Sequence, residues 1–140
     1  MDNRKISIQS ERNYVVKERK KFNGTIIITD PCYVIKAPHN GTIPDTDDDW
    51  SECNYGMNME KLGIKNYITH NTIGGDWGCF VYNTNYNPKK KIGEFGDDSG
   101  MVSVFLLDEV LKYNPDTQKW INEHDWCVTT IKDFKGVITS

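Results

Sequence analysis

A chain of 140 residues is long enough for one domain, over residues 1–140, that buries its own core without disulfides or metal ions. Hydrophobic residues make up 37% and charged residues 26%, which is ordinary for a folded soluble protein and excludes a disordered chain. The formal net charge of −3 excludes an overall basic field that would recruit bulk nucleic acid, while it still permits a local basic pocket.

Targeting signals and metal motifs are not evident in the sequence. Residues 1–22 lack the apolar core of a signal peptide, and no eighteen apolar residues run together, so we expect a cytoplasmic protein without a membrane span. The cysteines are Cys32, Cys53, Cys79 and Cys127. They form no CxxC pair and no Cys/His pair at ligand spacing, which predicts free thiols and no bound cofactor. Abundant Asn, Lys and Ile with little Ala is typical of an AT-rich genome, such as that of a low-GC bacterium or its phage.

The N-terminal segment predicts two short strands and a basic run. Alternating apolar residues favour strands at Lys5–Ile8 and Tyr14–Lys17. The run KERKK over residues 17–21 is typical of a solvated edge or loop. The alternative for this run is an anion-attracting rim, which requires other groups supplied by the fold.

The run TIIIT predicts the first strong strand, Thr25–Thr29, covered on both faces because its residues are continuously β-branched. Pro31 removes a backbone donor and disfavours helical geometry at Asp30, so we expect a bulge or kink there. The Asp30 carboxylate then has two open roles. It either caps backbone N–H groups or faces a ligand.

An acidic loop follows and leads into a helix. The loop at 37–49 carries aspartates at 45, 47, 48 and 49, but it lacks the central Gly and terminal Glu of an EF-hand. Negative charge before a helix is favoured by the helix dipole, which fits a helix over Asp49–Leu62 that packs on a sheet. A metal site at 45–49 is the weaker alternative.

The second half of the chain is dominated by strands. The pattern predicts a hairpin from Asn66–Ile73 to Cys79–Tyr82 through the glycine-rich turn at 74–78. After a polar loop, it predicts a second hairpin from Lys91–Phe95 to Met101–Leu106 through the turn at 96–100. Each predicted bend contains Asp flanked by Gly.

The end of the chain predicts two short helices and a last hairpin. Leu107–Tyr113 and Asp116–Glu123 have helical patterns, separated by Asn-Pro. Trp126–Ile131 and Val137–Thr139 predict a terminal hairpin. The fold class is therefore α+β, with a bent antiparallel sheet, sandwich-like or barrel-like, one main helix and one or two short helices.

Polar groups of three turns form the candidate ligand site, because turns at one end of a bent sheet can converge on a cleft. The candidate residues are Asp30, Tyr33, Asp76, Trp77, Asp97, Asp98, Ser99 and Gly100. Trp77 lies in a glycine-rich turn and suits stacking on a base, a sugar or a partner's side chain. The backbone N–H groups at 98–100 are candidates for an anion-binding nest.

Three short motifs resemble a group of small bacterial and phage domains with a DPCY strand end, a GDG-type turn and a DSG turn. The motifs are IITDPCYVI (Ile27–Ile35), GDWGCFVY (Gly75–Tyr82) and GDDSGMVSV (Gly96–Val104). Here Trp77 is inserted into the GDG turn, and the resemblance covers Ile26–Phe105. It implies a β-rich domain with Asp30, Asp76 and Asp98 at strand ends around one shared site. It implies no particular activity.

The residues and the resemblance together predict a non-catalytic binding protein, encoded by a phage or mobile element. We expect it to sequester a small anionic, nucleotide-type signalling ligand and so to act against host defence. Tyr33 or Trp77 would stack on the base, and a lysine from 17–21 or 89–91 would meet phosphate. If the ligand lies between chains, a homo-oligomer is also expected.

Two alternatives to the binding protein stay open. One is a small metal-assisted hydrolase or phosphodiesterase that uses Asp30, Asp76 and Asp98. The other is an interaction module that binds a host protein through a sheet edge and exposed aromatic residues. Ser99 does not lie in a nucleophile elbow, and the histidines at 39, 70 and 124 have no ligand spacing, so neither supports an enzyme by itself.

Overall fold

The strands form one seven-stranded sheet. A computed structural model describes residues 4–10, 18–31, 34, 59–71, 77–97, 101–124 and 128–140. The strands are β1 (Arg4–Ser10), β2 (Arg19–Thr29), β3 (Tyr67–Asn71), β4 (Trp77–Asn83), β5 (Lys90–Asp97), β6 (Met101–Leu106) and β7 (Val128–Thr139). Their order across the sheet is β3-β6-β2-β7-β1-β4-β5. All neighbouring pairs are antiparallel except β1 and β7, which are parallel.

Two α-helices follow β6, namely α1 (Leu107–Tyr113) and α2 (Thr117–Glu123). Asn114 ends α1 in an extended conformation, as expected for a residue that precedes proline. A single-turn 3-10 helix, Glu60–Leu62, ends at Gly63, whose φ of 83° is left-handed. None of the helices in the described residues is long and apolar enough to cross a membrane.

The sheet has a hydrophobic core on each face. The inner core, enclosed by the bend of the sheet, contains Ile6, Ile8, Phe22, Ile26, Ile28, Ile68, Cys79, Val81, Val102, Val104, Phe134 and Ile138. The helix-side core contains Ile27, Val34, Met59, Ile64, Phe105, Leu107, Val110 and Val128. Successive residues of β2 therefore alternate between the two cores, which is why a continuous β-branched run suits this strand.

The bend brings the far end of the sheet back over its centre. Gly93 of β5 lies so close to Thr129 of β7 that a Cβ at Gly93 would overlap the Thr129 hydroxyl. β5 and β7 are separated by two strands in the sheet order, so this contact requires a strong bend. The sheet remains open, since β3 and β5 are its two edges among the described strands.

The predicted fold class is confirmed, and several elements lie where the sequence pattern places them. The strand Met101–Leu106 and the helix Leu107–Tyr113 have the predicted bounds. β2 contains the predicted strand Thr25–Thr29 and is covered on both faces. It ends directly before Asp30, as the following proline predicts, although the register irregularity lies earlier, between Gly24 and Ile26.

The three predicted hairpins are wrong in their pairing. β3 pairs with β6 rather than β4, and β5 pairs with β4 rather than β6. β7 is one continuous strand from Val128 to Thr139, and Asp133, with a φ of 50°, lies at a register irregularity within it. Glycine-rich turns indicate that the chain changes direction, but they do not determine which strand becomes the neighbour.

Residues 19–21 of the basic run form the exposed or half-buried start of β2, which fits the solvated edge of the leading interpretation and not a loop. Other predictions lie outside the described residues: the strand Tyr14–Lys17, the acidic loop at 37–49, and the predicted helix up to residue 58. Of the cysteines, the structure describes Cys79, which is buried.

Candidate functional site

The predicted turn site is described in part. Asp30 directly follows β2 and is completely buried, with 0% of its surface exposed. Trp77 and Asp97 lie directly opposite each other at the ends of β4 and β5. The remaining predicted residues, Tyr33, Asp76, Asp98, Ser99 and Gly100, lie outside the described residues.

Chain connectivity limits how far the end of β5 can lie from the end of β2. Four peptide steps join Asp97 to Met101, which limits their Cα atoms to a separation of about 15 Å. Met101 is two residues from Ser103, and Ser103 lies opposite Thr29, the last residue of β2. The convergence of all eight predicted residues stays a prediction.

A different site emerges at the other end of β2, and we call it the cationic cleft. Its volume is about 720 Å³, which is within the usual range for small-ligand sites. It is lined by Arg4, Lys5, Lys21, Phe22, Asn23, Asn66, Leu106, Lys135, Gly136 and Val137. Nine of these residues come from four neighbouring strands, β6, β2, β7 and β1, and the tenth, Asn66, directly precedes β3.

The cleft opens where β6 ends. Leu106, the last residue of β6, lies opposite Ile26 of β2. Beyond that point Lys21, Phe22 and Asn23 continue to pair with β7 on one side, and no described strand pairs with them on the other. The unequal lengths of β2 and β6 therefore leave a recess beside residues 21–23, near the start of β2.

Strand register brings three lysines onto one face of the sheet. Val137 of β7 lies opposite Lys21 of β2 on one side and Lys5 of β1 on the other, so their side chains share a face. The Cα atoms of Lys5 and Lys21 are two strand spacings apart, about 10 Å. Lys135 is two residues from Val137 and lies opposite Asn23. Lys135 is therefore a diagonal neighbour of Lys21, at about 7–8 Å.

The charge of the cleft is opposite in sign to that of the whole chain. Four of its ten described lining residues are Arg or Lys and none is Asp or Glu, whereas the chain carries a net charge of −3. By contrast, two lysines outside the cleft form ion pairs with acidic residues, Lys91 with Glu94 and Lys119 with Glu123. Low-dielectric walls around like charges concentrate a positive potential, which attracts anions.

Two lysines of the basic run have different roles, because Lys20 connects two segments of the fold and Lys21 lines the cleft. The ammonium of Lys20 donates to the carbonyl oxygen of Lys65 at 3.2 Å and lies 5.8 Å from the centre of the Tyr67 ring. It therefore ties β2 to the segment before β3. Lys21, the next residue, points to the opposite side of the strand and lines the cleft.

The side chain of Asn66 lines one edge of the cleft, and Glu109 of α1 holds it in place. The Glu109 carboxylate accepts hydrogen bonds from the backbone N–H of Asn66 at 2.9 Å and of Lys65 at 3.2 Å. Each of its two oxygens also lies 3.3 Å from the side-chain nitrogen of Asn66. Glu109 therefore fixes both the backbone and the side chain of Asn66 at the edge of the cleft.

The cleft lies far along β2 from one of the predicted site residues, Asp30. Lys21 and Asp30 are separated by roughly 30 Å of extended strand, so they cannot contact the same small ligand. A lysine from the basic run and the buried Asp30 therefore belong to different regions. Lys90 and Lys91, from the other predicted set, lie near the rings of Tyr86 and Phe80.

The described residues contain no group of three or more His, Cys, Asp or Glu side chains arranged to hold a metal ion. His70 is buried in β3, and burial lowers the pKa of its imidazole below the ordinary value. Its Nε2 has no hydrogen-bond partner among the described residues. His70 pairs with Val102 across the sheet and does not line the cleft.

The cationic cleft thus follows from strand register, strand length and charge.

No protein-family model, curated protein or solved structure matches this chain. The resemblance to domains with DPCY, GDG-type and DSG motifs stays a prediction.

Proposed function

We propose that this protein binds a small nucleotide-type anion in the cationic cleft and sequesters it without turnover. The observation that carries the proposal is the placement of Lys5, Lys21 and Lys135 on one face of a single cleft. Three ammonium groups in this arrangement suit a phosphate-bearing ligand, because each donates charge-assisted hydrogen bonds to phosphate oxygens. In this proposal the protein is encoded by a phage or mobile element, acts in the host cytoplasm and withdraws a signalling nucleotide from host defence.

The two ends of the cleft differ in chemistry, which supports a bipartite ligand. From β6 to β1 the cleft crosses three strand spacings, about 14 Å. Leu106 and Asn66 supply aliphatic carbon and amide groups at one end, which suit a base. Lys5 and Lys135 supply positive charge toward the other end, which suits phosphate.

A bound anion also relieves the repulsion among the lysines. Like charges on neighbouring strands are unfavourable, and phosphate neutralises them without a change in the backbone. Loss of one charge-assisted contact weakens binding by about tenfold. Binding is therefore expected to decrease steeply as salt increases.

The test is a thermal-shift and calorimetric screen of the purified protein against linear nucleotides, cyclic mononucleotides, cyclic dinucleotides and inorganic phosphate. A ligand at about 100 times its dissociation constant stabilises the fold by about 2.7 kcal/mol, which raises the melting temperature by several degrees. Chromatography of the ligand after incubation is expected to recover it unchanged. Appearance of a hydrolysis product would instead support the hydrolase alternative.

Charge-neutralising variants locate the site. Lys21→Gln and Lys135→Gln are each expected to weaken binding by about tenfold. Lys132→Gln is the matched control, because Lys132 is an exposed lysine of β7 that does not line the cleft. Equal affinities for all three variants would contradict the proposed site, and a screen without any nucleotide binding would contradict the proposed function.

A further inference from the structure

The orientation of the Asn66 amide is set by its neighbours. Its NH₂ nitrogen lies 3.3 Å from each oxygen of the Glu109 carboxylate. A carboxylate only accepts hydrogen bonds, so the NH₂ group must face Glu109 and the amide oxygen must point away. The reverse orientation would place three oxygen atoms together and would be repulsive.

The other polar groups of Asn66 are already occupied. Its backbone N–H donates to Glu109 at 2.9 Å, and its backbone carbonyl accepts from the Leu106 N–H at 3.4 Å. Within the described part of the chain, the amide oxygen Oδ1 has no hydrogen-bond partner. Because Asn66 is half-buried and lines the cationic cleft, this oxygen is the acceptor that Asn66 can offer to a ligand.

We infer that Asn66 is a specificity-determining residue that selects nucleotides whose base carries an exocyclic amine, and that Glu109 is its positioning residue. The inference rests on the proposed function, since it concerns which nucleotide the cleft accepts. Lysines attract any phosphate, so they provide affinity with little discrimination. A fixed acceptor at the base end distinguishes a base that donates from one that cannot.

The discrimination follows from the cost of an unmet hydrogen bond. A base with an N–H donor replaces the water at Oδ1 with a direct hydrogen bond. An alkylated or deaminated base leaves Oδ1 desolvated and without a donor. The expected preference is about 3- to 10-fold in dissociation constant, the size of one neutral hydrogen bond.

The experiment compares three probes by calorimetry: AMP, N6,N6-dimethyl-AMP and purine riboside 5′-monophosphate. All three carry the same phosphate and a purine ring, and AMP alone carries N–H donors at position 6. AMP is expected to bind about 3- to 10-fold more tightly than the other two. Equal affinities for the three probes would overturn this inference and leave the proposed function standing. Failure of AMP to bind would also overturn this inference, whereas the proposed function would fall only if the wider nucleotide screen shows no binding.

Two variants test the roles of Asn66 and Glu109. Asn66→Ala is expected to abolish the preference for AMP while the lysines continue to bind all three probes. Glu109→Gln is expected to reduce the preference as well, because its amide can donate to Oδ1 and allow the Asn66 side chain to reverse. Asp108→Asn is the matched control, since Asp108 is an exposed acid next to Glu109 on α1. A preference that survives Asn66→Ala would overturn the inference.

Discussion

The contact between Gly93 and Thr129 predicts a specific loss of stability in Gly93→Ala. A Cβ at Gly93 would overlap the Thr129 hydroxyl and would lie 3.3 Å from both Cβ and Cγ2 of Thr129. The two residues belong to β5 and β7, which are not neighbours in the sheet. The substitution therefore tests whether the bent sheet brings its far edge onto its centre.

The magnitude follows from overpacking. Adding a methyl group to a tight contact costs about 1–3 kcal/mol, because side chains or backbone must shift. Alanine also gives the unfolded chain less conformational entropy than glycine does, which offsets about 0.4–1 kcal/mol of this loss. The middle of these ranges gives a net loss of about 1.3 kcal/mol. For a chain of 140 residues, 1 kcal/mol corresponds to about 3 °C in melting temperature, so we expect a decrease of about 4 °C.

The measurement is the free energy of unfolding from urea titration, with melting temperature as a second readout. Thr129→Ala removes the two atoms of Thr129 beyond Cβ that meet the new methyl group, so the double variant is expected to recover about 0.5–3 kcal/mol. Gly63→Ala is the control. It has a positive φ of 83° but no atom within 4 Å of the new Cβ, so its cost comes from backbone strain and Thr129→Ala should not relieve it.

Two results would refute this reasoning. The first is a Gly93→Ala variant as stable as the parent chain, which would mean that β5 does not lie against β7. The second is a loss of stability that Thr129→Ala does not reduce, which would place the strain in the backbone of β5 itself.

Three further predictions concern individual positions packed within the fold. Gly136→Ala is expected to lower stability by about 3 kcal/mol, measured by urea unfolding, because its Cβ would collide with the Arg4 backbone, which cannot rotate away as a side chain does. Burial lowers the pKa of His70 in the folded state, so the unfolded chain binds the proton more strongly. The free energy of unfolding should therefore have its full value above about pH 6.5 and decrease below that pH by up to about 1.4 kcal/mol per pH unit. Urea titrations between pH 5 and 8 should show a flatter profile for His70→Gln. Asn114→Ala is expected to cost about 1–3 kcal/mol by thermal unfolding, since it removes the buried 2.9 Å hydrogen bond to the Val34 carbonyl oxygen.

Local signals were sufficient to locate most of the described elements. β6 and α1 have the predicted bounds because alternation, a helical apolar pattern and Asn-Pro are all encoded within a few residues. Thr25–Thr29 was predicted to be covered on both faces, and Ile27 packs in the helix-side core while its neighbours pack in the inner core. Each of these outcomes depends on residues close in sequence.

Strand pairing depends on residues far apart in sequence, and there the predictions failed. The predicted hairpins joined strands that follow one another, which is the commonest arrangement. Here β6 inserts between β3 and β2, and β1 pairs in parallel with β7 from the other end of the chain. No turn residue encodes either pairing, because no turn joins those strands.

The cationic cleft was missed for the same reason. Lys21 belongs to a basic run for which an anion-attracting rim was the alternative interpretation. Lys5 and Lys135 are 130 residues apart in sequence and carry no local signal. The parallel pairing of β1 with β7 brings them to the same face beside Lys21, which supplies the additional groups that the rim required.

Protection of an exposed strand edge explains only one of the three cleft lysines. Lysine on an exposed strand edge prevents pairing with other chains, and Lys21 lies where β2 lacks a described neighbour on one side. Lys135 pairs with Asn23 of β2 within β7, an inner strand whose pairing with β1 begins at the next residue, Gly136. The backbone of Lys5 is bonded by Thr84 and Asn85. Neither position is an open edge, and lysine is disfavoured both within strands and beside like charges. The proposed recognition of an anion would account for all three lysines together, whereas protection of an edge would account for Lys21 alone.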